Sequence, residues 1–257
     1  MVSDTDYTQY SSLDKQVVFI TGGATGIGAE LVRAFTLQGV LVAFIDLNQQ
    51  AGETLQSAIE NETGNKPWFK AIDVCDIQAL ESAISSAADE LGGLHCLVNN
   101  VANDQRHRAE EMSADAWRQC MSVNLDATYF AAKAALPFLK KNGGSIINFS
   151  SINALLGPEN MSGYVTAKMG LLGMTKSLAR EWGHYNIRVN AVLPGWVVTD
   201  RQLALWLTPE AEQEWMKQVA IERRLMPADV ANLCLFLASD DSSMMTGQSL
   251  VIDGGRT

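Results

Sequence analysis

Metal and disulfide chemistry have little to work with in this chain. Its 257 residues include four cysteines and three histidines. Cys75, Cys96, Cys120 and Cys234 are scattered, with no Cys-x-x-Cys pair and no Cys/His spacing that suits zinc. His95, His107 and His184 form no ligand pattern either. The expectation is no metal and reduced thiols, in keeping with a cytoplasmic protein. No run of about 18 apolar residues occurs, so no segment is expected to span a bilayer. The stretch Met1–Asp14 is polar and lacks a basic start and an apolar run, which argues against a signal peptide. Positive charge is scarce as well: 19 Lys and Arg face 29 Asp and Glu, for a formal net charge of −10. Such a surface repels nucleic acid and anionic lipid, so neither is expected as a partner.

What is present is apolar and regularly spaced. Hydrophobic residues make up 47% of the chain, enough for a sizeable core. Seven short β-branched or apolar runs read as strands: Val17–Thr21, Val40–Asp46, Trp68–Asp73, Leu94–Asn99, Ser145–Ser150, Arg188–Leu193 and Ser249–Asp253. Amphipathic stretches lie between them, among them Ile27–Gln38, Ala51–Asn61, Ile77–Leu91 and Asp115–Leu139. Strands apolar on both faces, separated by helices, predict an α/β fold with a doubly wound parallel sheet and helices on both sides. No linker or repeat interrupts the pattern. The expected layout is a polar extension over 1–14 and one catalytic domain over 15–257. Within it, 196–221 lacks a strand and reads as a lid over a site or as an interface helix pair.

A glycine cluster follows the first strand: Thr21-Gly22-Gly23-Ala24-Thr25-Gly26-Ile27-Gly28. Between a strand and a helix, such glycines permit a tight turn and bring backbone N–H groups and the helix's positive end to a pyrophosphate. The second strand ends on Asp46, 18 residues past Gly28. An acid there can bond a ribose 2′-hydroxyl and repels a 2′-phosphate. Neighbouring Thr25, Leu47 and Asn48 offer no compensating cation, so the expected cofactor is NAD.

Tyr164 and Lys168 stand four residues apart, thirteen after Ser151. On a helix that spacing stacks the two side chains on one face. A phenol beside an ammonium makes a proton acceptor. At about 5 Å and an effective dielectric near 20, the lysine is worth roughly 3 kcal/mol, or about two pKa units on the tyrosine.

With these residues in order, the chain resembles the short-chain dehydrogenase/reductase family. The matching segments are Thr21-Gly22-x-x-x-Gly26-x-Gly28, Asp73-Val74, Asn99-Asn100-Val101-Ala102, Val123-Asn124, Ser151 with Tyr164 and Lys168, Pro194-Gly195-Trp196-Val197-Val198-Thr199, Thr246-Gly247-Gln248 and Asp253-Gly254-Gly255. The resemblance implies a single Rossmann-fold domain and a catalytic set of Asn124, Ser151, Tyr164 and Lys168. Tyr164 would take a hydroxyl proton, Ser151 would hold the substrate oxygen, and Asn124 would support a water that links Lys168 to solvent. It further implies a cofactor site of Gly22, Thr25, Gly26, Ile27, Gly28, Asp46, Leu47, Asp73, Val74, Asn100, Ala102, Tyr164, Lys168, Pro194, Gly195, Val197 and Thr199. Ala102 departs from the family's glycine, and its methyl is tolerable where φ is negative. Members form dimers or tetramers, and a homotetramer is expected.

The loop Asn103-Asp104-Gln105-Arg106-His107-Arg108 is densely polar, as a polyhydroxylated substrate requires. The segment Asn99–His107, together with Thr199–Gln202, Trp206–Glu210 and Leu235–Asp241, resembles sugar 1-dehydrogenases of the family, particularly bacterial D-xylose dehydrogenases. Those enzymes oxidise the anomeric hydroxyl of a cyclic aldose to a lactone. The expected substrate contacts are Asn103, Ser151, Asn153, Glu159, Tyr164, Trp196 and Arg201. Two alternatives stand beside this. One is a secondary-alcohol dehydrogenase or carbonyl reductase on another small polar substrate, such as a deoxy keto acid held by Arg201 or Arg106. The other is a non-catalytic NAD-binding sensor.

Overall fold

The computed structural model describes residues 7–257. Residues 1–6 of the expected polar extension lie outside the described part. From Tyr7 onward that segment packs on the body. Tyr7 and Leu13 are buried in the core, and the Tyr7 hydroxyl donates to Glu30.

The chain alternates strand and helix: β1 (Val17–Thr21), α1 (Gly26–Leu37), β2 (Leu41–Asp46), α2 (Gln49–Thr63), β3 (Trp68–Ala71), α3 (Ile77–Leu91) and β4 (Cys96–Asn99). The second half runs α4 (Ala114–Met121), α5 (Ala127–Asn142), β5 (Gly144–Phe149), α6 (Asn153–Leu156), α7 (Ser162–Trp182), β6 (Ile187–Pro194), α8 (Asp200–Leu205), α9 (Pro209–Met216), α10 (Pro227–Ala238) and β7 (Ser249–Ile252). Seven parallel strands form one sheet in the order β3-β2-β1-β4-β5-β6-β7. All seven expected strands are present, with ends within one or two residues. Two amphipathic helices are stopped by local chemistry. Asn48 and Asp76 cap α2 and α3 by accepting from Ala51 N and Ala79 N, and left-handed Gly64 and Gly92 close them.

The two-residue side-chain period of the strands divides the core into two layers. Val18, Ile20, Val42 and Phe44 face α1 and α10; Val17, Phe19, Ala43 and Ile45 face the α3, α5 and α7 side. Order reverses between β1 and β4, where Thr21 lies beside Asn99. That reversal opens a crevice at the carboxyl ends of the strands, the usual ligand position in such sheets.

One expected helix is interrupted. The stretch Asp115–Leu139 is α4 and α5 joined by a π-helical turn, Ser122–Asp126. Asn124 causes the register change: its Nδ2 donates to the Cys120 carbonyl at 3.0 Å and to the Asn103 carbonyl at 3.1 Å. Its Oδ1 accepts from Asn103 N at 2.9 Å. A π turn commonly marks a functional position, and here it holds the loop after β4.

Candidate active site

A single cleft of about 1310 Å³ runs along the carboxyl ends of the strands. Every residue expected at the site lines it except Asn124. Asn124 is fully buried and reaches the cleft only by bracketing the backbone of Asn103. Its side-chain amide is committed to that loop and to Cys120.

The cofactor end is built from the turn between β1 and α1. Gly22 and Gly26 have φ of +66° and +56°. Asn100 Nδ2 ties the turn down by donating to the carbonyls of Thr21 and Gly22. Thr21 Oγ1 in return accepts from Asn100 N and Val101 N. Thr25 precedes α1 without making a side-chain cap, so the helix start keeps donors for an anion. Asp46 is held by two backbone amides, Oδ2 accepting from Ala24 N at 3.0 Å and Oδ1 from Asn48 N at 2.9 Å. Leu47 stands exposed beside it. Asp73 Oδ1 accepts from Cys75 N, which sets the turn that brings buried Val74 to the wall. Ala102 does not take positive φ, so its methyl carries no backbone strain.

A Cβ on Gly28 would lie 1.9 Å from the Gly22 carbonyl oxygen and 2.8 Å from Asn100 Nδ2. The first is backbone and cannot step aside. Gly28→Ala is expected to cost about 1–3 kcal/mol of stability and to weaken cofactor binding at least ~10-fold, since it pushes apart the atoms that form the cradle. Thermal melting and a fluorescence titration with reduced cofactor measure the two effects. This fit of turn, helix start and acid to a dinucleotide is what a nicotinamide cofactor requires.

At the other end of the cleft, Ser151 lies two residues past the end of β5, and Tyr164 and Lys168 project from α7. All three are buried. Tyr164 is in hydrogen-bond contact with Ser151. Ser151 Oγ accepts from Asn153 N at 3.1 Å, which orients the hydroxyl. Lys168 Nζ donates to the Phe149 carbonyl at 2.7 Å and lies 5.8 Å from the centre of the Tyr164 ring. Burial pushes the Tyr164 phenol up to about 12, with Ser151 opposing that rise and the Asp104 charge adding to it. Burial also drives the Lys168 ammonium down to about 7. The sequence predicts the opposite direction for Tyr164. The physical reason is desolvation of the buried phenol, while the same burial lowers Lys168 and so weakens the charge that would pull the phenol down.

The lysine has a consequence for stability. An unfolded lysine titrates near ~10.4, so between about 7 and that value the unfolded chain binds more protons than the folded one. Lys168 alone therefore makes stability rise with pH across this window. Cys75, Cys96, Cys120 and Cys234 have raised pKa values through burial and act in the reverse sense. The difference between wild type and Lys168→Met isolates the lysine. The variant's gain in melting temperature is expected to be larger at pH 7 than at pH 10. A gain independent of pH contradicts the assignment.

The substrate end is roofed by α8 and α9, with Trp196, Leu205, Trp206 and Trp215 on the cleft wall. Thr199 Oγ1 caps α8 by accepting from Gln202 N, and Thr208 with Pro209 starts α9. Trp196 meets Trp215 edge to face at 5.4 Å. Asn103 is exposed, with Oδ1 accepting from Gln105 N. Asn153 begins α6, Glu159 sits exposed at the rim, and Pro194 and Gly195 end β6 beside the cleft. Val197 is buried and bridges to Leu225. Arg201 is paired with Asp104.

Three contributors, Asp104, Gln202 and Phe149, were not legible from spacing. Asp104 and Gln202 bond each other across 98 residues. Phe149 contributes only its carbonyl, which no side-chain pattern reports.

Comparison with known proteins agrees with this geometry. A family model described as enoyl-(acyl carrier protein) reductase matches residues 22–257. A probable galactose dehydrogenase of Rhizobium meliloti (strain 1021) is 43% identical over 249 residues, 96% of this chain and 97% of that protein. A D-xylose 1-dehydrogenase of Caulobacter vibrioides is 42% identical over 247 residues, with the same coverage. A trans-4-hydroxycyclohexanecarboxylate dehydrogenase of Sinomonas cyclohexanicum is 38% identical over 248 residues, 95% of this chain and 93% of that one. Among solved structures, a 7α-hydroxysteroid dehydrogenase complexed with NADH and 7-oxo glycochenodeoxycholic acid superposes with a TM-score of 0.91. It is 30% identical and covers 96% of both chains. The chain belongs to the short-chain dehydrogenase/reductase family, as an oxidoreductase of CH–OH groups that uses a nicotinamide cofactor.

Proposed function

We propose that the protein oxidises the C1 hydroxyl of a cyclic aldose to the lactone with NAD as acceptor, working in the cytoplasm as a homotetramer. The observation that carries the reading is the pairing of Tyr164, Ser151 and Lys168 with a polar rim of Asn103, Asn153, Glu159 and Arg201 in one cleft. The relatives named for galactose and D-xylose support the same substrate class.

The residues divide the work. Ser151 Oγ holds the anomeric oxygen, and Tyr164 Oη receives its proton as general base. When bound, the oxidised nicotinamide supplies the two-electron acceptor for the C1 hydrogen, and its positive charge opposes the burial that raises Tyr164. Lys168, anchored on the Phe149 carbonyl 5.8 Å from the centre of the Tyr164 ring, opposes that effect of burial further when protonated. Asn124 keeps the Asn103 loop in place. Gly22, Thr25, Gly26, Ile27 and Gly28 hold the pyrophosphate, Asp46 and Leu47 the adenosine ribose, Asp73 and Val74 the adenine. Asn100 and Ala102 line the central wall. Pro194, Gly195, Val197 and Thr199 hold the carboxamide end. Asn103, Asn153, Glu159, Trp196 and Arg201 contact the sugar.

A second reading is oxidation of another ring alcohol, favoured by the 38% identical relative named for a hydroxycyclohexanecarboxylate. The test is NADH formation at 340 nm across a panel of pentoses, hexoses and deoxyhexoses, run beside hydroxy acids and with NADP in parallel. The proposal expects turnover with at least one aldose and NAD. Turnover confined to hydroxy acids supports the second reading, and cofactor binding without any turnover supports a sensor.

A further inference from the structure

The substrate end carries two arginines, Arg106 and Arg201, and either could in principle receive a substrate carboxylate. The structure commits one of them elsewhere. Arg201 Nη2 donates to Asp104 Oδ1 at 3.0 Å. The other oxygen, Asp104 Oδ2, accepts from Gln202 Nε2 at 2.9 Å. Gln202 Oε1 in turn accepts from Trp196 Nε1 at 2.7 Å. One carboxylate from the loop after β4 thus fixes two consecutive side chains of α8 and, through them, the indole on the cleft wall. Its own side chain is 24% exposed, against 57% for Arg201. The guanidinium carbon of Arg106 lies over the Trp206 ring, 4.1 Å from its centre.

The charge of this region follows. Asp104, Glu159 and Asp200 line the same end of the cleft as the two arginines. Asp104 is close enough to Tyr164 to act on it electrostatically. A carboxylate on the substrate would meet that negative charge and would compete with Asp104 for Arg201. Neutral hydroxyls suffer neither penalty and can still bond the rim.

We propose that Asp104 is the residue that makes this site choose neutral hydroxylated rings over their carboxylate counterparts, by occupying Arg201 and holding Gln202 and Trp196 in the wall. It acts by attraction within the protein and by repulsion of the wrong substrate, the second being a common source of specificity. The inference rests on the proposed oxidation of a ring hydroxyl, with the sugar as its preferred case. It explains how a relative of an enzyme named for a hydroxycyclohexanecarboxylate would favour an uncharged substrate.

The test is a ratio of kcat/KM for two matched pairs: D-galactose against D-galacturonate, and cyclohexanol against trans-4-hydroxycyclohexanecarboxylate. Wild type is expected to favour the neutral member at least ~100-fold. Asp104→Asn frees Arg201 and should lower the ratio at least ~10-fold, chiefly by lowering KM for the acid. Adding Arg201→Gln should restore the preference, and Asp104→Glu should keep it. A purely structural role for Asp104 would lower activity on both members and leave the ratio unchanged, which overturns the proposal. A wild-type ratio near one, or in favour of the acid, also overturns it. If only the cyclohexanol pair is turned over and its ratio shifts as described, the sugar reading fails and the selection by Asp104 stands. Absence of turnover with every neutral member overturns both.

Discussion

Tyr164→Phe is expected to lower kcat by ~10²–10⁴-fold, the usual worth of a positioned general base, with a melting temperature close to that of wild type. The ring is buried on α7 and the substitution keeps its volume, so packing is preserved. What is lost is the hydroxyl beside Ser151 that is proposed to receive the substrate proton. The pH profile is part of the prediction. Burial raises Tyr164 to about 12 and lowers Lys168 to about 7, so the ionised forms of both are disfavoured for one reason. The two act as a coupled pair, and the rate reports the pair. Because a base must be deprotonated to act, kcat/KM for oxidation should climb with a slope near one in the logarithm as pH rises and then level. Tyr164→Phe should flatten that climb. Lys168→Met should remove the lysine's share of the coupled titration and move the inflection toward the phenol's own, higher value. Activity unchanged in Tyr164→Phe would remove the base from this mechanism.

The second large effect concerns the choice of cofactor. Wild type is expected to bind NAD at least ~100-fold more tightly than NADP. A like charge at about 4 Å and an effective dielectric near 20 costs roughly 4 kcal/mol, or about three decades. Asp46 is fixed at the end of β2, because Ala24 N and Asn48 N both donate to it, and there it would face a 2′-phosphate. It has no basic neighbour to absorb that charge: Thr25, Leu47 and Asn48 surround it at the cleft edge. Asp46→Asn keeps an acceptor for one amide and removes the charge, so NADP affinity should rise ~10–100-fold while NAD affinity falls modestly. Fluorescence titration of each reduced dinucleotide gives both numbers. Equal affinity of wild type for the two cofactors would show that Asp46 does not select.

The strands were readable because each is an apolar run, and the expected strand Trp68–Asp73 misses the end of β3 by two residues. Ile72 N still donates to Asp46 O, so the pairing fades rather than stops there. The glycine turn and Asp46 were readable because the chemistry is local, within one strand, one turn and one helix. The break at Asn124 was not, since it depends on Asn103, a residue 21 positions away that must be folded against it. Nor was the latch of Asp104 on Gln202, which joins the loop after β4 to the distant helix α8. The direction of the Tyr164 shift also escaped the sequence. Spacing places Lys168 beside the phenol, but only the fold determines that both are buried and that Phe149 takes the ammonium's hydrogen bond. Among the described residues, no helix is long and apolar enough to cross a membrane.

The most direct test of the account is oxidation of an aldose carrying deuterium at C1, with NAD and wild-type enzyme. The account predicts a lactone product, deuterium recovered in the reduced nicotinamide, and a slower isotope-sensitive step than with the unlabelled sugar. Deuterium retained in the sugar product, or no NADH from any labelled or unlabelled aldose, would contradict it.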